Sequence, residues 1–397
     1  MSYRYTVGRA LALLLTVSVL AGAWGGGLAP TRAQEQINSP RRADETAQPQ
    51  QTPAPASAQP QQTPAPKATP SKQDDAEAID DDVLRVETDL TNVLFTAVDK
   101  NKRFITSLKR EDVRIFEDGT QQEVFAFQRE TDRALSLAIL IDTSASQERT
   151  LPEEKSAARG FIDTVIRPSK DEVAVLSFTG ETTLELGLTG SIQRVRRAIE
   201  GVEFTPPSGY IGGGIVVPGT PPISGDNQSR AGSTAIWDSV WVTTREVLSE
   251  TSDKTRRAII LLTDGVDTSS RLKLAEAVDS ALKTDTIIYA IGIGDSFSFD
   301  GVDEGSVRKI AERTGGRAYF PRDESDLRSA FAQIQDELRS QYLVAYSSSN
   351  KAKDGSFRQL KIEVVNPELR KQNLRLTYRQ GYFAQTTTTT AKPKKRQ

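Results

Sequence analysis

The sequence predicts an α/β protein: a doubly wound, mostly parallel sheet inserted in a small β-sandwich whose halves flank it on either side. Three observations carry this. Four nearly continuous apolar runs rich in β-branched residues occupy 135–141, 172–178, 258–262 and 286–293, as strands buried on both faces of a parallel sheet require. Helical periodicity separates and follows them. Segments of two-residue alternation, the pattern of half-buried strands, lie at both ends of this region.

The elements follow in chain order. Arg4 and Arg9 precede an apolar stretch over 10–21, and small residues then offer cleavage after Ala23 or after Ala33. These are the features of a secretory signal over 1–33. Gly25 to Gly27 and the shortness of the apolar run argue against a retained membrane anchor. A lipoprotein anchor needs a cysteine, and the chain has none. The expectation is an exported protein, periplasmic, cell-surface or secreted, with no integral membrane segment after cleavage. Residues 34–82 are rich in Pro, Gln and Ala and repeat the hexamer QQTPAP at 50–55 and 61–66. Such a stretch cannot bury a core and reads as a tether.

Residues 83–131 form the first half of the predicted sandwich. Val113 and Ile115 alternate ahead of Asp118-Gly119, a hairpin signal, and an apolar run over 124–127 follows. Residues 339–385 form the second half. There Leu360, Ile362 and Val364 alternate, then Leu374, Leu376 and Tyr378, with Asn366-Pro367 in the turn region between. A few strands are too small to fold alone, so the two halves are expected to pair.

The inserted domain spans 132–338. Leu274, Val278 and Ala281 or Leu282 share one helical face in 271–283; Leu327, Phe331, Ile334 and Leu338 do so in 325–339. Ser325 is read as the N-cap of the latter. Trp237 and Trp241, four apart on a helix, read as core packing in preference to a ligand surface. Gly292-Ile293-Gly294 lacks the full glycine fingerprint of a phosphate loop and reads as a turn. The chain closes in a Thr- and Lys-rich solvated tail over 386–397.

Composition narrows the chemistry. A net charge of -2 gives no basic field for nucleic acid. With 0 Cys and 0 His, there is no disulfide framework, no thiolate, no imidazole base and no Ser-His-Asp triad. A metal must be held by oxygen, which selects Mg²⁺, Mn²⁺ or Ca²⁺. Three segments offer that oxygen. One strand ends in Asp142-Thr143-Ser144-Ala145-Ser146, another in Leu262-Thr263-Asp264-Gly265, and Gly232-Ser233-Thr234 opens a helix between them. In a doubly wound sheet all three fall at the carboxyl edge of the strands, where such folds bind ligands. Either run alone would read as a turn or cap cluster; their conjunction reads as a metal site of Asp142, Ser144, Ser146, Thr234 and Asp264. A mixed hydroxyl and water shell suits Mg²⁺. If both carboxylates sit behind the hydroxyls, one coordination position remains open, and a partner's acidic side chain can complete the shell.

These three segments, in this order, resemble the metal-ion-dependent adhesion site of von Willebrand factor A and integrin I domains. The resemblance covers roughly half the chain. It implies that Ser144 and Ser146 ligate the metal directly and that Thr234 does so directly or through water. It implies that Asp142 and Asp264 act mainly through water and hydroxyl hydrogen bonds. Phe104-Ile105-Thr106-Ser107-Leu108, the strand and turn over 113–119, and Tyr378-Arg379-Gln380-Gly381-Tyr382 further resemble exported bacterial proteins of acidobacterial type called VWFA-related. In the von Willebrand A family, motion of the last helix couples to the metal site, so by analogy 325–339 links that site to the sandwich.

The function expected is metal-dependent binding of a protein that presents an acidic residue, with no catalytic residues. One alternative is a periplasmic scaffold using the same site. The other is a hydrolase without His or Cys, for which Ser144 would need a lysine base that the adjoining loops do not offer, and the clustered Asp80, Asp81 and Asp82 sit at a tether end. The Gly- and Pro-rich loop 205–232 either shapes partner choice or is an insertion without a role.

Overall fold

The computed structural model describes residues 90–130, 132–206, 208–211, 217, 233–294 and 302–386. The predicted leader (1–33), the tether (34–82), most of the loop 205–232 and the tail beyond Thr386 lie outside the described residues. Among the described residues no helix is long and apolar enough to cross a membrane.

Four strands come first: β1 (Leu90–Val98), β2 (Val113–Glu117), β3 (Thr120–Gln122) and β4 (Val124–Arg129). The chain then alternates strand and helix through β5 (Leu135–Asp142), α1 (Leu151–Val165), β6 (Glu172–Phe178), β7 (Thr182–Thr189) and α2 (Ile192–Gly201). Next come α3 (Ile236–Val242), which runs on as a π turn over Thr243–Leu248, β8 (Arg256–Thr263), α4 (Leu274–Lys283) and β9 (Thr286–Gly292). The domain closes with α5 (Glu304–Thr314), β10 (Ala318–Tyr319) and α6 (Glu324–Arg339). The chain then returns through β11 (Tyr342–Ser347), β12 (Phe357–Val364), α7 (Pro367–Arg370), β13 (Arg375–Tyr378) and β14 (Gly381–Phe383).

The central sheet has the order β10-β9-β8-β5-β6-β7, parallel except for the antiparallel edge strand β7. Every residue of β5 and β8 is buried, because helices cover both faces. Leu137, Ile139 and Ile141 pack against α1, α2 and α6 through Ile162, Ile199 and Phe331. Ala138 and Leu140 face α3, α4 and α5 through Val240, Val278 and Ile310. The chain leaves β5 to one side for β6 and returns to the other side for β8, so the order reverses beside β5. The carboxyl ends of β5 and β8 therefore flank the switch point, where ligands bind in this class of fold.

The two flanking segments form two four-stranded antiparallel sheets, β13-β1-β11-β4 and β14-β12-β2-β3. N- and C-terminal segments interleave within each: Val93 pairs with Val344, and Ile115 with Ile362. A shared apolar core fills the space between the sheets, with Phe95 stacked on Tyr342 at 5.2 Å. Asp118 and Gly119 both take positive φ, 47° and 82°, as a two-residue hairpin turn demands.

Several sequence expectations are corrected. The hairpin partner of β2 is the three-residue β3, and the run over 124–127 crosses to the other sheet beside β11. Asp323, not Ser325, caps α6: its extended backbone lets the carboxylate accept from the Asp326 N–H at 2.8 Å, which places Ser325 inside the first turn. Trp237 is core, whereas Trp241 is half-buried with the Arg245 guanidinium 5.8 Å from its ring. Thr386 bridges to Asp354 and so belongs to the sandwich and not to the tail. The edge strands β7 and β10 carry no continuous apolar run and add to the four strands that the sequence predicts.

One ionic network locks the sandwich. Glu117 accepts from Arg358 at 3.1 Å, Ser348 at 2.6 Å, Tyr346 at 2.7 Å and Tyr382 at 2.8 Å. Burial pushes the Glu117 carboxyl up, but these four donors outweigh it and hold it below the usual carboxylate range. Replacing Glu117 by Ala strands the buried Arg358 guanidinium and three hydroxyls. A loss of about 3–5 kcal/mol is expected in denaturant unfolding, with Glu117→Gln losing less; a loss under about 1 kcal/mol for Glu117→Ala would show that the network is dispensable.

Candidate metal centre

The carboxyl ends of β5 and β8 bring two loops together. Asp142 is fully buried and turns the chain after β5: its Oδ1 accepts from the Ser144 N–H at 2.9 Å. Its Oδ2 accepts from the Thr263 hydroxyl at 2.7 Å, across to the neighbouring strand. Thr263 Oγ1 in turn accepts from the Gly265 N–H at 3.1 Å. Ser144 and Ser146 hydroxyls lie 3.2 Å apart, and Ser146 Oγ donates to Asp264 Oδ2 at 2.6 Å. Asp264 Oδ1 accepts from the Val266 N–H at 2.9 Å. Gly265 makes this turn possible: it sits at φ +82°, and a Cβ there would lie 2.4 Å from Val307 Cγ2.

Four of the five expected residues thus form a continuous set, Asp142 through Thr263 on one side and Ser144–Ser146–Asp264 on the other. Thr234 is placed by a third loop. Its N–H donates to Thr268 Oγ1 at 2.8 Å, and its carbonyl accepts from Thr268 and Ser269 N–H groups in the loop after Asp264. Ala235 N–H reaches the Thr179 carbonyl at 2.7 Å, beside the Phe178 carbonyl that receives the Thr143 N–H. Thr234 is therefore anchored to both neighbouring loops and is buried. Among the described residues its hydroxyl makes no hydrogen bond to the other four.

Sequence reasoning missed the residues behind these. Gln147 donates to Ser146 Oγ at 3.5 Å and to the Ile293 carbonyl at 3.1 Å, while Thr150 donates to Gln147 Oε1 at 3.0 Å. One turn further, Glu154 is fully buried on the apolar face of α1, and among the described residues neither carboxyl oxygen finds a hydrogen-bond donor in bonding geometry. The signal was present: Glu154 occupies a position whose helical neighbours Leu151, Ala158 and Phe161 are all core.

The electrostatics fit a cation. Burial pushes Asp142 up to about 7, with the neighbouring Asp264 charge adding to the shift against bonds from Ser144 and Thr263. Asp264 is also raised, chiefly by burial. Glu154 rises to about 8, first through burial; the Thr150 hydroxyl opposes this and the charges of Asp142 and Asp264 add to it. Among the described residues no Lys or Arg is bonded to any of the three. Nor do three acidic side chains come close enough to hold an ion by themselves, so the donor set is two carboxylates and hydroxyls. All-oxygen sets of this kind suit hard divalent cations.

Residues 223–333 match the family model of the von Willebrand factor type A domain, a stretch that includes Thr234 and Asp264. No curated protein matches the sequence. Similar solved structures include the conserved hypothetical protein BatB from Bacteroides thetaiotaomicron, at 17% identity over 52% of this chain and 100% of that one, TM-score 0.37. Proximal thread matrix protein 1 from the mussel byssus, with a zinc-occupied MIDAS motif, is similar at 20% identity over 56% of this chain and 50% of that one, TM-score 0.42. This chain thus spans about half the length of the mussel protein. A von Willebrand factor type A protein from Catenulispora acidiphila is similar at 16% identity over 70% and 76% of the two chains, TM-score 0.40.

The raised Glu154 has a consequence for stability. A carboxyl whose folded pKa lies above its unfolded value binds more protons when folded, so stability falls as pH rises from the unfolded value toward the folded one. For Glu154 that window runs from the ordinary glutamate value of 4.5 to about 8. In metal-free protein, Glu154→Gln removes this cost. It should stabilise the fold by about 1–3 kcal/mol at pH 8 and by nothing near pH 4. Equal pH slopes for the two proteins in urea unfolding would contradict this.

Proposed function

We propose that this chain is a metal-ion-dependent protein-binding module of an exported bacterial protein, whose site takes an acidic side chain from a partner. The observation that carries the reading is the buried oxygen set at the switch point, where Asp142 and Asp264 bond into the loops of Ser144 and Ser146 and, among the described residues, no cationic side chain is bonded to either. A bound divalent cation, Mg²⁺ or else Mn²⁺ or Ca²⁺, would supply an electrophilic coordination position for the incoming carboxylate. Ser144 and Ser146 would hold it through their hydroxyls, with Thr234 closing from the third loop.

The rest is the work of this chain's own side chains. Thr263 fixes Asp142, and Asp264 orients the Ser146 hydroxyl by accepting its hydrogen bond. Gln147 ties Ser146 to the end of the β9 strand through the Ile293 carbonyl. Val266, 40% exposed beside Asp264, and Tyr210, which reaches Glu148 from the loop 205–232, give the rim apolar and aromatic surface. Export rests on the basic and apolar pattern of residues 1–33.

Calorimetric titration of Mg²⁺, Mn²⁺ and Ca²⁺ into the full chain, with thermal melting alongside, tests the reading. Saturable binding is expected, with stabilisation of about 2.7 kcal/mol when the metal is at a hundred times its Kd, and Asp142→Ala should lose both. Equal binding by wild type and Asp142→Ala would overturn the ligand assignment and the function built on it.

A further inference from the structure

A second concave site lies at the opposite end of the central sheet, where the amino ends of β8 and β9 meet the sandwich strands β1 and β11. The cleft holds about 360 Å³. Five cationic side chains line it, Arg133, Arg256, Arg257, Lys283 and Arg379, against two carboxylates, Asp253 and Asp285. Asn92, Lys283, Asp285 and Arg379 also line an adjoining cleft of about 680 Å³, on whose wall stand Lys351 and Arg358.

The two carboxylates are already committed. Asp253 pairs with Arg257 at 3.0 Å, and Asp285 pairs with Arg379. The other three cations have no anionic partner among the described residues. Arg133 donates to the main-chain carbonyls of Asp253, at 2.8 Å, and Lys254. Arg256 is only 6% exposed, yet its guanidinium meets neutral acceptors alone: the Leu338 carbonyl at 2.6 Å, Gln341 Oε1 at 3.0 Å and the Arg133 carbonyl at 3.2 Å. Among the described residues its Nε has no acceptor, and neither has the Nε of Arg379. Lys283 is exposed and lies 4.8 Å from the centre of the Phe383 ring.

A buried guanidinium is ordinarily paired with a carboxylate, because its desolvation otherwise goes uncompensated. Here burial drives Arg256, which has no carboxylate partner among the described residues, below the usual arginine range, and it pushes Arg379, whose one carboxylate partner among them is the exposed Asp285, to about 10. Planar guanidinium forks with spare N–H groups are the side chains that best take up tetrahedral or planar oxyanions. A partly enclosed cavity strengthens that attraction by excluding water.

We propose that this cleft binds a phosphate-type oxyanion, seated between Arg256, Arg379 and Lys283 at the junction of the α/β domain and the sandwich. The site is separate from the metal centre and does not depend on it. Lys283 and Arg379 reach the ligand from α4 and from the turn between β13 and β14, so occupancy fastens the two parts of the chain together.

The test titrates inorganic phosphate and glycerol 3-phosphate into the full chain at constant ionic strength, in metal-free buffer without chelator. Thermal melting and calorimetry provide the readout. Saturable binding and a raised melting temperature are expected; equal affinities mark a free anion as the ligand, and a tighter ester marks a phosphorylated molecule. Lys283→Gln, an exposed substitution that leaves the fold's core untouched, should weaken binding about tenfold, and Arg379→Gln at least as much. No saturable binding of either probe, or wild-type affinity in Lys283→Gln, would overturn the proposal. Because metal is absent throughout, that outcome leaves the metal-centre reading unaffected.

Discussion

The hydrogen bond from the Thr263 hydroxyl to Asp142, buried where the sheet order reverses, is the constraint on which the candidate metal centre depends. It fixes the carboxyl end of β5 against that of β8 and leaves Asp142 Oδ1 to turn the chain so that Ser144 and Ser146 project from the edge. Asp264 completes the clamp from the other strand. Carboxylates in such a place are costly unless a positive charge answers them. Their raised pKa values express that cost, and a cation at the edge would relieve it.

The same logic of burial shapes the molecule elsewhere with different partners. In the sandwich, Glu117 is also buried but receives a guanidinium and three hydroxyls, so its carboxyl is held below the usual range and not above it. Glu337 of α6 lies between these extremes: Thr96 of β1 donates to it at 3.2 Å and Arg317 stands 3.3 Å away, but burial still raises it. This contact ties the last helix of the α/β domain to the first sandwich strand. Because N- and C-terminal strands interleave in both sheets, the inserted domain is clamped at both ends of its chain.

Much of this was legible in the sequence where a period or a motif had a physical cause. The apolar runs at β5, β6, β8 and β9 announce strands covered on both faces, and the alternation of Leu360, Ile362 and Val364 announces a strand covered on one. The Asp-x-Ser-x-Ser run and the Thr-Asp-Gly end mark two loops that the sheet order brings together. Other features depend on tertiary placement that no local pattern carries. β7 pairs at an edge with an alternating, half-exposed sequence. The choice of Asp323 over Ser325 as cap rests on one residue's backbone angle. Thr263 read as part of a turn, since its role depends on which strand lies beside β8. The cleft at the opposite end of the sheet draws its cations from residues as distant in sequence as Arg133 and Arg379, and only the fold assembles them.

Anomalous diffraction from crystals of the full chain grown with Mn²⁺ tests the central claim most directly. The account predicts one anomalous peak at the carboxyl edge of the central sheet, about 2.1–2.3 Å from the hydroxyl oxygens of Ser144 and Ser146, with Asp142 and Asp264 behind it. A peak at another site, or an edge at which the Ser146 hydroxyl still donates to Asp264 with no metal beside it, would contradict it.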